Sequence, residues 1–231
     1  MTGPRASEST PIFFDDFSSG RLDPSKWTVR TTGQVFNDEQ QAYVDSPETV
    51  YVSADAAGQD GYALVLHPRY RPGHVTSDRR RFDFISGRID TRERFRFTYG
   101  TASARIKLSA GPGLWPAFWM LGAGRWPDTG EIDVMEFVGE RDWVSCAVHG
   151  PGYSGEAGLA NTRFLPEHAD ATEWHVYTVH RAPDAVTFDV DGTTVYRVTR
   201  PMVEFFGRWA FDDEKFLILN FALGGTYPFK T

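Results

Sequence analysis

The stretch Glu131-Ile-Asp-Val-Met-Glu136 sets three carboxylates in six residues inside an otherwise apolar run. Acids in a strand-like segment are costly to bury unless they are paired, hydrogen-bonded or at work. Side chains alternate between faces along a regular strand, so Glu131 and Asp133 point one way and Glu136 the other. One extra residue, a β-bulge near Met135, swings Glu136 back beside the other two and leaves Ile132, Val134 and Phe137 on the buried face. The segment predicts a half-buried, bulged strand with a line of acids on its open face.

The rest of the chain reads as further short strands. Tyr62–Leu66 follows Gly61 and stops before Pro68, and Ala102–Leu108 alternates apolar and polar residues. Thr187–Val190 and Thr193–Tyr196 flank Asp191-Gly192, a strong hairpin signal. Phe216–Leu223 is a continuous apolar run ended by Gly224-Gly225 and predicts a buried strand. Short helices are expected only near Pro166–Thr172 and Pro201–Phe206. Many short strands with regular turns indicate an all-β sandwich or barrel. There is no internal repeat, low-complexity block or central linker. Residues 1–10 are expected to be a disordered tail and 11–231 one domain.

Composition sets limits. With 41% hydrophobic residues over 231 positions the chain can bury a sizeable core. A net charge of −7 argues against nucleic acid as the main partner and is indifferent to a neutral polymer. Cys146 is the single cysteine, so no intrachain disulfide or cysteine metal cluster is possible, and its place on an apolar face marks it as a small buried hydrophobe. No apolar run reaches the ~18 residues of a membrane span, and no membrane partner is expected. The first residues lack the apolar segment of a signal peptide.

Three acids on one strand face fit a solvated surface or a calcium site of oxygen ligands. They also fit glycosidic bond cleavage, where one carboxyl acts as nucleophile and a second as acid, then base. Glu131 and Glu136 are the candidates for that pair, with Asp133 between them to orient one Glu and influence its protonation. The neighbours favour the second use. In Leu114-Trp-Pro-Ala-Phe-Trp-Met-Leu121, alternation puts Trp115, Ala117 and Trp119 on one face and Leu114, Phe118 and Met120 on the other. The first face offers two indoles, as a sugar-stacking platform would. Trp126 precedes the acids behind a Pro-Asp-Thr-Gly turn. Downstream, Trp143, Ser145, Ala147 and His149 share a face; if that strand pairs with the acidic one, His149 reaches the same cleft.

These segments resemble glycoside hydrolase family 16. The resemblance is carried by Gly113-Leu-Trp-Pro-Ala-Phe-Trp-Met-Leu-Gly122 and by Trp126-Pro-Asp-Thr-Gly-Glu-Ile-Asp-Val-Met-Glu-Phe-Val-Gly139, the bulged Glu-x-Asp-x-x-Glu form of the family signature. Asn37, Glu39, Gln41 and Tyr43, then Ser86–Thr91, Tyr99–Leu108, Val148–Gly155 and Leu219–Gly225 extend it over roughly residues 12–228. Within the family the chain is most similar to laminarinases, the endo-1,3-β-glucanases. Two departures stand out. Tyr227 occupies the region where laminarinases usually carry a Trp, and the chain stops at Thr231 without their last strand, as a C-terminally clipped piece would.

The resemblance implies a concanavalin A-like β-jelly-roll of two curved antiparallel sheets with a concave cleft. It implies a retaining double displacement on β-glucan of the laminarin or curdlan type, with Glu131 as nucleophile, Glu136 as acid/base and Asp133 as helper. By position Trp115, Trp119 and Trp126 would line sugar subsites, and Asn37, Arg88 and His149 would hydrogen-bond hydroxyls. No cofactor or catalytic metal is implied. The family often holds a structural calcium between first and last strands, and the missing last strand counts against it here. A monomer acting on an extracellular polysaccharide is expected, despite the missing signal. Alternatives are a galactan hydrolase of the agarase or carrageenase kind, with Arg79-Arg80-Arg81 serving a sulfated chain, a transglycosylase sharing the covalent intermediate, and a non-catalytic β-glucan-recognition module. The net charge and the Asn37 segment favour glucan, and the three intact acids disfavour the last.

Overall fold

Asp191 and Gly192 both take positive φ, 50° and 75°, as the central pair of a type I′ hairpin turn requires. The turn joins two strands of a protein built almost wholly of strands. The computed structural model describes residues 10–59, 61–165 and 169–230; the expected tail at 1–10 lies outside them except for Thr10. In chain order the strands are β1 (Thr28–Val29), β2 (Gln41–Tyr43), β3 (Val50–Gln59), β4 (Tyr62–Leu66), β5 (Arg69–Val75), β6 (Arg81–Ser86), β7 (Arg88–Asp90), β8 (Gly100–Lys107), β9 (Leu114–Gly122), β10 (Glu131–Glu136), β11 (Trp143–His149), β12 (Leu159–Phe164), β13 (Trp174–Ala182), β14 (Ala185–Val190), β15 (Thr193–Thr199) and β16 (Lys215–Leu223).

Seven strands form one antiparallel sheet in the order β1-β7-β16-β9-β10-β11-β12, and four form a second in the order β15-β14-β13-β8. A smaller sheet, β2-β6-β5, has a parallel β2–β6 pairing, and β3 and β4 form a hairpin. The core lies between the two main sheets. Phe118, Met120, Ile132, Val134, Val144, Cys146 and Val148 from the larger one join Ala102, Tyr177, Val179, Val186, Phe188 and Val198 from the smaller one in a single buried cluster. Cys146 is buried there as a free thiol. Burial of this kind supplies about 25 cal/mol per Å² of apolar surface and dominates stability.

Helix is confined, among the described residues, to short pieces. The expected helix at Pro201–Phe206 is α1 (Arg200–Phe206), with a proline in its first turn, where no N–H is needed, and only Val203 buried. The helix expected near Pro166–Thr172 does not form in the described part. Residues 166–168 lie outside the described residues, and Asp170 instead accepts hydrogen bonds from the Thr172 backbone and hydroxyl in a local turn. A second short helix, α2 (Thr226–Lys230), follows β16 and was not foreshadowed by periodicity.

The predicted bulge is present. Asp133 pairs with Trp119 of β9 and Ala147 of β11, and Glu136 pairs with Ala117 and Ser145. Three steps along β10 thus match two along each neighbour. The extra residue is absorbed by sending Val134 and Met135 both inward; they are 4% and 1% exposed. Glu136 returns to the face of Glu131 and Asp133.

Candidate active site

The strand order sets a row of side chains across the larger sheet. Asn220 of β16 is opposite Ala117 of β9 on one side and Arg88 of β7 on the other. Ala117 is opposite Glu136, and Glu136 opposite Ser145. Three residues back along β10, and two onward along β9 and β11, Trp119, Asp133 and Ala147 make a parallel row, and beyond it Leu121, Glu131 and His149 make a third. Glu136 is therefore flanked by the small residues Ala117 and Ser145, and Asp133 by Ala147 on one side and Trp119 on the other.

Each glutamate has an indole donor. Trp126 gives its N–H to Glu131 Oε2 at 2.6 Å, and Trp115 gives its N–H to Glu136 Oε1 at 3.1 Å. Asp133 is 4% exposed, with one carboxylate oxygen lacking a hydrogen-bond partner. His149 Nε2 lies 3.2 Å from that oxygen, close enough for charge interaction but outside hydrogen-bond alignment. Burial pushes Glu131 up to about 8, reinforced by the charge of Asp133 and opposed by His149 and the Trp126 N–H. Burial likewise raises Glu136 to about 7, against the Trp115 hydrogen bond. Asp133 is held well above the usual carboxylate range by burial and by Glu136. Like charges this close in a poorly solvated site cannot all ionise, so the cluster keeps protons at neutral pH and shares them. Donor atoms of Glu131, Asp133 and His149 also lie within 4.8 Å of one another, a cation-like spacing; proton sharing accounts for the same cluster.

The other residues singled out in the sequence fall into different roles. Trp126 is 47% exposed and offers an open indole face. Trp115 is buried instead, edge-on to Tyr227 at 5.7 Å between ring centres, so it supports Glu136 more than it presents a platform. Trp119 is half-buried; the Arg88 guanidinium lies 5.0 Å from its ring centre and its N–H goes to Asn220 Oδ1 at 2.7 Å. Asn37 is exposed with a φ of 49°, and its carbonyl accepts from the Thr226 N–H, which places it by Gly225 and Trp115. Arg79, Arg80 and Arg81 are exposed beside and on the edge of β6; Arg80 is braced by Asp78 and the Gly33 carbonyl.

Sequence reasoning did not single out Asn220 as a site residue. Its side chain accepts from Trp119 and donates to the Tyr43 hydroxyl at 2.8 Å, and Tyr43 faces Glu39, which burial raises above its ordinary value. A polar residue on the face opposite Leu219 within an apolar strand was the available signal. Ser145, hydrogen-bonded to the Tyr227 hydroxyl at 2.8 Å, is a second such case.

An antiparallel β-sandwich with carboxylates of unequal environment between indoles on one sheet face defines a class, the all-β glycoside hydrolases. The chain belongs to glycosyl hydrolases family 16, whose family model matches residues 32–211. It is 30% identical to a beta-glucanase of Rhodothermus marinus over 98% of this chain and 81% of that protein. It is 31% identical to glucan endo-1,3-beta-glucosidase A1 of Niallia circulans over 98% of this chain, which spans 35% of that protein. An endo-beta-1,3-glucanase structure from Pyrococcus furiosus superposes with a TM-score of 0.84 at 35% identity, covering 94% of this chain and 85% of the other. The fold is thus the expected β-jelly-roll, and the protein is a laminarinase-like β-glucanase.

Proposed function

We propose that the chain is an endo-acting, retaining hydrolase of β-1,3-linked glucan. The observation that carries the reading is the bulge, which brings Glu131, Asp133 and Glu136 to one face in distinct surroundings. Glu131 carboxylate attacks the anomeric carbon as the bond to the leaving oxygen breaks, and Glu136 gives its proton to that oxygen. Water then passes a proton to Glu136 and attacks the same carbon, releasing Glu131 as carboxylate. Asp133, enclosed between the two, holds or releases the proton that sets the charge on Glu131. Burial and the Asp133 charge hold a proton on Glu131 in the free protein, and the Trp126 N–H and His149 oppose them, favouring the ionised state a nucleophile needs. The exposed face of Trp126 and the Arg88–Trp119 pair supply stacking and hydrogen-bonding surface for sugar rings along the sheet. The reaction needs no cofactor, and its polymer substrate lies outside cells.

A solved relative supports β-glucan as the substrate class. A family 16 non-specific endo-beta-1,3(4)-glucanase, 28% identical with a TM-score of 0.83, holds 1,3-beta-D-cellobiosyl-glucose at its active site. Product analysis over laminarin, curdlan, mixed-linkage glucan, agarose and carrageenan tests the proposal. Early release of mixed oligosaccharides from laminarin is expected. Cleavage of agarose or carrageenan without laminarin would overturn it.

A further inference from the structure

Lys215 opens β16 with its side chain 0% exposed. Its ammonium donates to the Thr129 carbonyl at 2.5 Å and the Ala210 carbonyl at 3.0 Å, and lies 5.7 Å from the Phe211 ring centre. Arg181, 3% exposed, sits nearby and is also met by carbonyls, those of Phe97, Phe211 and Asp213 at 2.7, 3.1 and 2.8 Å. Burial pushes Lys215 down to about 7, helped by Arg181 and opposed by Asp213 and Asp212. Filling a core position with a cation is costly where an apolar side chain of similar size would serve. The two carbonyls it joins suggest what it does there.

Thr129 belongs to the turn between β9 and β10. Its N–H goes to the Arg125 carbonyl at 3.2 Å, and the Gly130 N–H goes to the Pro127 carbonyl at 2.9 Å. The turn displays Trp126 and runs directly into Glu131, the two residues joined by the indole hydrogen bond. The segment around Ala210 clamps the turn from one side. Arg208 donates to the Asp128 carbonyl at 2.9 Å, and Gly130 approaches Ala210 so closely that a Cβ would stand 2.4 Å from its carbonyl oxygen. Gly122 closes the other side, where a Cβ would stand 2.4 Å from that of Thr129. Lys215 is the side chain that ties the turn to its clamp from within the protein.

We propose that Lys215 is a positioning residue for the catalytic pair, fixing through the Thr129 carbonyl the turn that aims the Trp126 indole at Glu131. Its effect on turnover rests on the glucanase reading; its effect on the turn does not. Glu131 is faced by Asp133, His149 and Trp126 and interacts with the charge of Glu136, and none of these touches Lys215 in the hydrogen-bond network described. A Lys215 variant therefore reports on Glu131 only through the turn.

The test follows the Trp126 indole N–H resonance by nitrogen-edited NMR as a function of pH, without substrate, in the full chain and in Lys215→Met and Lys215→Gln. In Lys215→Met the midpoint reporting Glu131 ionisation is expected to rise by about half a unit or more, as a carboxylate does on losing a well-aimed donor. Lys215→Gln, which keeps an uncharged N–H donor group, shifts it less in the same direction and carries the test if Lys215→Met does not fold. On laminarin, kcat/KM falls about tenfold and its acidic limb moves with the NMR midpoint, as expected when catalytic geometry loosens. Adding Lys215→Met to Trp126→Phe moves that limb no further. An unchanged midpoint in a folded variant, or equal and additive shifts in the double variant, overturns the proposal. If the wild type cleaves no glucan, the glucanase reading fails and the NMR result still stands.

Discussion

Trp126 and Glu131 are joined by a 2.6 Å hydrogen bond from indole N–H to carboxylate, though only five residues separate them and they sit on different elements. The bond spans a tight turn, and it favours the charged form of a carboxyl that burial and the Asp133 charge together push up to about 8.

Removing that donor has a signed consequence. Trp126→Phe keeps a ring for sugar stacking and loses the N–H, so the Glu131 carboxyl titrates at higher pH. The acidic limb of kcat/KM on laminarin is expected to move upward, with a loss of about tenfold at its old midpoint, as for a hydrogen bond to a charged group worth ~1.5–3 kcal/mol. Initial rates between pH 4 and 9 measure both. An unmoved limb contradicts the role of the indole.

Glu131→Gln is expected to reduce laminarin cleavage by several orders of magnitude while leaving oligosaccharide binding largely intact, since the amide keeps the shape and loses the nucleophile. Reducing-sugar release and titration calorimetry separate the two. Activity near wild type would remove Glu131 from the mechanism.

The same substitution is expected to stabilise the fold at neutral and alkaline pH. The Glu131 carboxyl rises from about 4.5 to about 8 on folding. Its contribution to stability is fully present below the unfolded value and is lost as pH climbs through the folded one. At pH 7 the cost of keeping the site is about 3 kcal/mol, from 1.36 kcal/mol for each pH unit climbed above the unfolded value. Melting temperatures from pH 4 to 9 should fall more steeply in the wild type than in Glu131→Gln, with the curves parting above pH 5. Parallel curves contradict the buried-acid picture.

Asn220 bridges the Trp119 indole and the Tyr43 hydroxyl. Asn220→Ala frees both and leaves the three acids in place. KM for laminarin is expected to rise about five- to tenfold with a smaller change in kcat, the scale of one or two hydrogen bonds of ~1 kcal/mol. Steady-state kinetics on laminarin decide it; a fall in kcat with KM unchanged would place Asn220 in the chemistry instead.

How much was readable from the chain depended on whether local chemistry or tertiary pairing set the outcome. Glu136 standing out of phase with Glu131 and Asp133 predicted the bulge, because strand alternation is a local rule. Asp191-Gly192 predicted its turn for the same reason. The face shared by Ser145, Ala147 and His149 was also legible, and the β10–β11 register places all three opposite the acids. Burial of Trp115 was not, because it depends on Tyr227 arriving from α2, more than a hundred residues away. The link from Asn220 to Tyr43 joins β16 to β2, again beyond any sequence window. Lys215 reads in sequence as an ordinary charged residue before an apolar run, and only the Thr129 carbonyl, 86 residues away, together with that of nearby Ala210 shows why it is buried.

The stereochemistry of the first product bears most directly on the two-carboxylate mechanism. Proton NMR of laminarin during the first minutes of cleavage, before mutarotation, should show the β anomer at the new reducing end, because Glu131 attack and water attack each invert the same carbon. Initial appearance of the α anomer would mean a single displacement by water and would contradict a covalent role for Glu131.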